Sequence, residues 1–120
     1  RDHEISTGCD SFRSGNHDAI IAIGGGSAMD GGKAICLTVK NEIDLWDFEW
    51  EAEPVAINPD QAFPTLITIP TTAGTGAEIE STAMAAKADS WGWKTILKQK
   101  HYMELSKWRL VRYTIYENTV

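Results

Sequence analysis

The fold class follows mainly from one stretch, Asp18-Ala-Ile-Ile-Ala-Ile-Gly-Gly-Gly-Ser-Ala-Met-Asp-Gly-Gly-Lys33. Within it, the apolar run 19–23 passes directly into three glycines and a serine, after which a helix-compatible stretch begins. A short apolar run bounded by turn residues is typical of a strand buried on both faces. The pattern therefore predicts a strand, a glycine turn and a helix for which Ser27 is a suitable N-cap.

A turn of this kind favours the binding of an anion. Glycines leave no Cβ in the way of a ligand, and the first N–H groups of a helix attract phosphate. A plain structural turn is the alternative reading. Two better-known phosphate motifs do not fit, because the dinucleotide fingerprint needs glycine where Met29 stands, and the nucleoside-triphosphate loop needs glycine and a hydroxyl where Ser27 and Ala34 stand.

The segments on either side of this stretch complete an α/β unit. Residues from about 4 to 15 are predicted to form the end of a helix, with Ile5, Cys9 and Phe12 on one face. The helix after the glycine turn should extend to about residue 39 or 40. Its Gly31-Gly32 pair is explained by close packing on the sheet, and Lys33 is expected to be solvated or, less favoured, a phosphate ligand.

A second strand, predicted over 65–69, leads into Pro70-Thr-Thr-Ala-Gly-Thr-Gly-Ala-Glu78. In an open α/β sheet, ligands lie beyond the carboxyl ends of the strands, so this loop and the glycine turn would face one cleft. Thr71, Thr72 and Thr75 then offer hydroxyls to a phosphate, a ribose or a carboxamide. The alternative is that these hydroxyls only satisfy the backbone of the turn.

The rest of the chain is less regular. Residues 41–64 predict an acidic surface loop with a short turn around residues 45–47, and residues 81–86 fit a strand or a helix. Residues 1–86 hold fourteen acids and four bases, whereas residues 87–120 hold three acids and seven bases. This change in charge is the strongest internal boundary of the chain.

Length and composition suit one modest domain of 120 residues with a net charge of −6. The negative charge argues against binding to nucleic acid, and no apolar run is long enough to span a membrane. No signal peptide is visible, so we expect a cytoplasmic location with Cys9 and Cys36 as free thiols. The histidines, His3, His17 and His101, are too scattered for metal-ligand spacing.

Two motifs together resemble the iron-containing alcohol dehydrogenases: Gly24-Gly-Gly-Ser-Ala-Met-Asp-Gly-Gly-Lys-Ala-Ile35 and Pro70-Thr-Thr-Ala-Gly-Thr-Gly-Ala-Glu78. Residues 14–21 and 45–48 support the match, which is good over about 4–86 and poor over 87–120. Ala77 departs from the serine usual in the family. The resemblance implies an α/β fold, a partial Rossmann-like parallel sheet with flanking helices. Residues 1–86 would be part of a dinucleotide-binding domain, and 87–120 a divergent tail that ends the same domain.

The resemblance also implies a function. Members of the family transfer a hydride between NAD or NADP and a small alcohol or aldehyde, with iron or another divalent metal held in a separate helical domain. The parent protein would be a homo-oligomer. The residues that match the family's cofactor-binding positions are Gly25, Gly26, Ser27, Asp30, Thr71, Thr72 and Thr75.

The resemblance places no catalytic residue and no metal ligand in these 120 residues, so we expect the chain alone to be inactive. The acidic residue that helps to choose NAD over NADP would lie before residue 1. Two alternatives stay open: a non-catalytic, truncated nucleotide-binding module, and a relative of the maleylacetate reductase type.

Overall fold

A computed structural model describes residues 1–40, 44–49, 52–53, 62–80 and 82–87, together with the backbone of two short strands farther along the chain. Predictions for most of the acidic loop and of the basic tail lie outside these residues. The elements, in chain order, are α1 (Asp2–Ser14), β1 (Ala19–Gly24), α2 (Gly26–Thr38), a 3₁₀ helix (Leu45–Phe48), β2 (Thr65–Pro70), β3 (Met84–Ala86), β4 (Trp93–Thr95) and β5 (Leu110–Arg112).

The central feature is a three-stranded parallel sheet with the strand order β1-β2-β5. Strand β1 pairs with β2 in a register that runs from Ala19 opposite Thr65 to Gly24 opposite Pro70. Strand β5 continues the sheet on the far side of β2, and β3 pairs with β4 in a separate antiparallel ribbon. The predicted α/β fold with a parallel sheet is therefore confirmed, and the segment 84–86 is a strand.

Helix α1 packs its apolar stripe inward, as its spacing predicts. Ile5, Cys9 and Phe12 are all buried, and the helix ends where Gly15 caps it and Asn16 adopts a φ of 50°. Asparagine tolerates this left-handed backbone better than most residues, which explains the stop. Among the described helices, none combines the length and the apolar character that crossing a membrane requires.

Helix α2 begins before Ser27, so the prediction of Ser27 as the N-cap is wrong. The Gly25 carbonyl already accepts hydrogen bonds from the N–H groups of Ala28 at 3.0 Å and Met29 at 3.2 Å, which makes Gly25 the N-cap. Glycine is among the residues that are favoured at the N-cap. As a result, the Ser27 side chain lies in the first turn and is exposed.

Helix α2 lies between two clusters of buried residues. On one side Met29 and Cys36 pack with Ala22 of β1 and Leu66 of β2. On the other side α2 contributes to a larger cluster that joins α1, the 3₁₀ helix and β3. This arrangement fixes the start of α2 over the carboxyl end of the sheet.

Strand β1 is covered on one face only, which corrects the prediction of burial on both. Ala22, which faces α2, is 5% exposed, whereas Ile21 and Ile23 are 59% and 60% exposed. Alternate residues of a strand point to opposite faces, so these two isoleucines share the face away from α2. Among the described residues, nothing covers that face of β1.

Candidate functional site

Two corners of small residues lie side by side at the carboxyl edge of the sheet. The first, residues 24–27, is called the glycine corner below, and the second, residues 70–77, the threonine corner. Gly24 stands opposite Pro70 in the parallel register, and the Thr71 N–H donates to the Gly24 carbonyl at 2.9 Å. This edge is where open parallel sheets bind their ligands.

The gap between the corners is narrow and depends on missing side chains. A Cβ built on Gly25 would lie 3.5 Å from Thr72 Oγ1. A Cβ built on Gly26 would lie 3.8 Å from Thr75 Cγ2 and 4.0 Å from Ala77 Cβ. Substituents at these two glycines would therefore fill the space between the corners, space that an incoming group can use.

The glycine corner also carries backbone N–H groups at the start of α2. Among the described residues, the N–H groups of Gly26 and Ser27 donate to no backbone acceptor, as expected for the first turn of a helix. The positive end of the α2 dipole adds to their attraction for an anion. The corner therefore has the donors that a phosphate group requires.

The threonine corner divides its hydroxyls between two roles. Thr75 Oγ1 accepts a hydrogen bond from the Ala77 N–H at 3.3 Å, so this hydroxyl helps to hold the turn. The exposed Thr71 and Thr72 hydroxyls have no protein partner among the described residues. The reading that a hydroxyl satisfies the backbone of the turn therefore holds for Thr75, and Thr71 and Thr72 stay predicted ligand contacts.

Positive φ angles explain the glycines within and beside this loop. Gly74 has a φ of 109° and Gly76 a φ of 64°, conformations that other residues rarely adopt. The Gly76 carbonyl then accepts the N–H groups of Ile79 at 2.9 Å and Glu80 at 3.2 Å. The loop closes into a turn that leads toward β3.

Lys33 is buried, so the prediction that it is solvated is wrong. Its Nζ donates to the Glu80 carbonyl at 3.1 Å and to the Thr82 carbonyl at 2.6 Å, and it lies 3.5 Å from Asp30 Oδ1. Burial lowers the pKa of Lys33 from its ordinary value, and the nearby carboxylate of Asp30 opposes that shift. The ammonium is thus held by protein groups and lies away from solvent.

Asp30 also has protein partners. Besides Lys33, its carboxylate accepts a hydrogen bond from the Met84 N–H at 3.2 Å. Its side chain is 19% exposed and lines the same cavity as Gly26 and Ser27. Asp30 therefore lies close to the glycine corner while it holds the start of β3.

A cavity of about 750 Å³ opens beside the corners, lined among others by Ser27, Asp30, Gly31 and Thr75. Its volume is within the range of small-molecule sites in proteins. Within the described residues, no three His, Cys, Asp or Glu side chains are grouped so as to hold a metal ion. The described residues therefore offer a ligand hydrogen-bond donors and open space.

Both cysteines are free and buried, in agreement with the prediction of free thiols. Cys36 Sγ donates to the Pro64 carbonyl at 3.4 Å, and burial raises the pKa of its thiol to about 12. A thiol with such a pKa is not a thiolate near neutral pH, so Cys36 belongs to the core and not to the site.

Sequence reasoning missed the contacts of Lys33 with the segment before β3. The one local signal was the spacing of three residues between Asp30 and Lys33, which places an acid and a base together on a helix. In the structure Met29, one turn before Lys33, is 1% exposed, so this side of α2 is covered. The carbonyl partners, 47 and 49 residues farther along the chain, had no local signal.

Comparison with known proteins gives a consistent set of relatives. Residues 1–105 match the family model for iron-containing alcohol dehydrogenase. The chain is 35% identical over 80 residues to the choline dehydrogenase of Bacillus subtilis (strain 168), covering 67% of this chain and 19% of that protein. It is 36% identical over 90 residues to the NAD-dependent methanol dehydrogenase of Bacillus methanolicus, covering 74% of this chain and 22% of that protein.

A solved structure shares the fold. The crystal structure of a 1,3-propanediol oxidoreductase superposes with a TM-score of 0.74 at 25% sequence identity, covering 98% of this chain and 27% of the other. The chain thus spans about a fifth of the length of the curated relatives described above.

Proposed function

Since the chain belongs to the iron-containing alcohol dehydrogenase family, we propose that its two corners bind a nicotinamide dinucleotide for hydride transfer to or from a small alcohol or aldehyde. The observation that supports this most is the adjacency of the corners, joined by the hydrogen bond from the Thr71 N–H to the Gly24 carbonyl. One of the relatives bears a name that specifies NAD.

Each corner has a distinct role in this proposal. The N–H groups of Gly26 and Ser27, which have no backbone acceptor within the described part of the chain, bind the pyrophosphate, and Gly25 keeps the approach open. Thr71 and Thr72 donate or accept hydrogen bonds at the dinucleotide, and Thr75 shapes the loop while facing the same gap. Asp30 lies one turn farther along α2 and contributes at the edge of the site.

The bound dinucleotide would supply the hydride chemistry, and the residues of this chain bind and orient it. The metal that polarises the alcohol oxygen would be iron or another divalent ion, held outside this chain. We therefore propose that the 120 residues bind cofactor without catalysing the reaction. Residues 1–86 form part of the dinucleotide-binding domain. Residues 87–120 form a tail that ends the same domain, and the parallel pairing of β5 with β2 is the observation that supports this assignment.

Titration of the chain with NADH, followed by fluorescence of the reduced nicotinamide, tests the proposal. Gly26→Val fills the space toward Thr75 and Ala77, and Ser27→Trp places a bulky side chain in the cavity that Ser27 lines, so each should abolish binding. Ser11→Trp is the matched control, since Ser11 is exposed on α1. Failure of the unaltered chain to bind millimolar NADH or NADPH would refute the cofactor site.

The same preparation tests the absence of activity. With NAD and ferrous iron added, the chain should not oxidise small primary alcohols, because its described residues contain no group of side chains that could hold the metal. Turnover under these conditions would contradict that expectation. Comparing NADH with NADPH in the titration tests which dinucleotide the chain binds. Whether the substrate is an alcohol or of the maleylacetate type is tested with a longer protein that contains this sequence.

A further inference from the structure

We propose that Lys33, acting with Asp30, is a positioning residue of the dinucleotide site. It clamps the backbone at Glu80, Thr82 and Met84 onto helix α2 and so fixes the threonine corner beside the glycine corner. This inference rests on the proposed function for its effect on cofactor binding, but the clamp itself is a property of the fold.

The Lys33 ammonium makes two hydrogen bonds and one ion pair with protein groups. A lysine ammonium has three donors, and Lys33 Nζ has three acceptors nearby: the Glu80 carbonyl, the Thr82 carbonyl and Asp30 Oδ1. The residue is 5% exposed. With its donors engaged in this way, Lys33 is not available as a direct phosphate ligand.

The clamp is connected to the threonine corner by the backbone. The Glu80 carbonyl receives the Lys33 ammonium, while the Glu80 N–H donates to the Gly76 carbonyl at 3.2 Å. Gly76 belongs to the threonine corner and has a φ of 64°. A shift of Glu80 away from α2 would therefore pull on the last turn of the corner.

Asp30 completes the arrangement from the first turns of α2. Its Oδ1 lies near the buried ammonium, and its Oδ2 accepts the Met84 N–H at 3.2 Å. A buried charge is costly unless it is paired, so Asp30 compensates the cost of burying Lys33. Glu80, Thr82 and Met84 are thereby each tied to α2 through a backbone group.

The clamp affects the cofactor site because helix α2 also carries the glycine corner at its start. The helix holds Gly26 and Ser27 at its first turn and the clamp residues Asp30 and Lys33 within the next two turns. One rigid element thus positions the free N–H groups and the backbone that supports the opposing loop. The width of the gap between the corners depends on this pair of side chains.

The test compares Lys33→Met with Lys40→Met, a control that removes an exposed lysine just beyond the same helix. Amide hydrogen exchange is measured without ligand, and the NADH dissociation constant is measured well below the melting temperature. Lys33→Met should speed exchange of the Glu80 and Met84 amides by about tenfold or more. It should also weaken NADH binding by about tenfold, whereas Lys40→Met should change neither.

Rescue separates positioning from a general loss of stability. Lys33→Arg keeps the cation and its donors, so it should recover most of the NADH affinity that Lys33→Met loses. Exchange at Glu80 and Met84 that matches the Lys40→Met control would overturn the clamp. Faster exchange with unchanged NADH affinity would overturn the positioning role.

The experiment still gives an answer in two other cases. If the unaltered chain binds no NADH, the proposed function fails, and the exchange data still decide the clamp. If Lys33→Met does not fold, Asp30→Ala replaces it, because Asp30 is only partly buried and its loss frees the Met84 N–H. Unchanged exchange at Met84 in Asp30→Ala would then refute the inference.

Discussion

Gly32 of helix α2 lies so close to Ala22 of strand β1 that a Cβ at position 32 would come within 2.6 Å of the Ala22 Cβ. The same added Cβ at position 32 would lie 3.4 Å from Leu66 Cδ1 of β2. The missing side chain at position 32 lets the helix pack closely on the sheet. Gly31 differs, because a Cβ there would meet nothing within 4 Å. The expected reason for the glycine pair therefore holds for Gly32 alone.

The first prediction compares these adjacent glycines. Gly32→Ala should lower the free energy of unfolding by about 1–3 kcal/mol, because Ala22 cannot move aside and the helix must lift from the sheet. Gly31→Ala should raise it by about 0.5–1 kcal/mol, since alanine is the better helix former and has room. Urea denaturation followed by circular dichroism measures both. Equal effects of the two substitutions would contradict the packing explanation.

The second prediction concerns the buried hydroxyl of Thr68. This residue is 1% exposed, and its Oγ1 has no hydrogen-bond partner among the described residues. Thr68→Val should leave the free energy of unfolding unchanged or raise it by up to about 1 kcal/mol, because no hydrogen bond is lost.

Thr38→Val is the matched control for Thr68→Val. Thr38 Oγ1 donates to the Ala34 carbonyl at 2.8 Å and lies 3.3 Å from Cys9 Sγ, so its replacement should cost about 1 kcal/mol. Urea denaturation of the two variants side by side checks the difference. A larger loss for Thr68→Val than for Thr38→Val would show that the Thr68 hydroxyl has a partner.

The third prediction follows from the pKa of Cys36. Burial raises the pKa of this thiol in the folded chain to about 12 from the ordinary value of 9.0. Between these values the unfolded chain binds fewer protons than the folded chain, so stability falls as pH rises from about 9 towards 12. Below about pH 9, this contribution to stability is fully present.

Cys36→Ala isolates that effect from other groups that titrate in the same range. The difference in unfolding free energy between the unaltered chain and Cys36→Ala should shrink as pH rises above about 9. Urea denaturation at a series of pH values measures it. A difference that stays constant to pH 11 would show that the folded chain does not hold the thiol neutral.

The fourth prediction separates the roles of the threonines. Thr72→Val should weaken NADH binding by about threefold to tenfold and leave stability unchanged, because its hydroxyl has no protein partner among the described residues. Thr75→Val should weaken binding and also lower stability, because Thr75 Oγ1 accepts the Ala77 N–H. Fluorescence titration and thermal melts measure the two effects. Loss of stability in Thr72→Val would contradict this division.

Local patterns in the sequence were enough to predict the individual helices and strands. The apolar runs at 19–23 and 65–69 predicted β1 and β2, and the spacing of Ile5, Cys9 and Phe12 predicted the buried face of α1. These patterns are readable because a strand or helix repeats over a few residues, so neighbours in sequence report on the same face. The proximity of the two corners also followed, because parallel neighbouring strands end at one edge.

The environment of individual side chains, in contrast, depends on how distant segments pack. Lys33 looks solvated in sequence, yet it is buried because Glu80 and Thr82, 47 and 49 residues away, bring their carbonyls to its ammonium. Ile21 looks buried, yet it lies on the face of β1 that α2 does not cover. Burial and pairing depend on which distant segments pack together, and a local pattern does not contain that information.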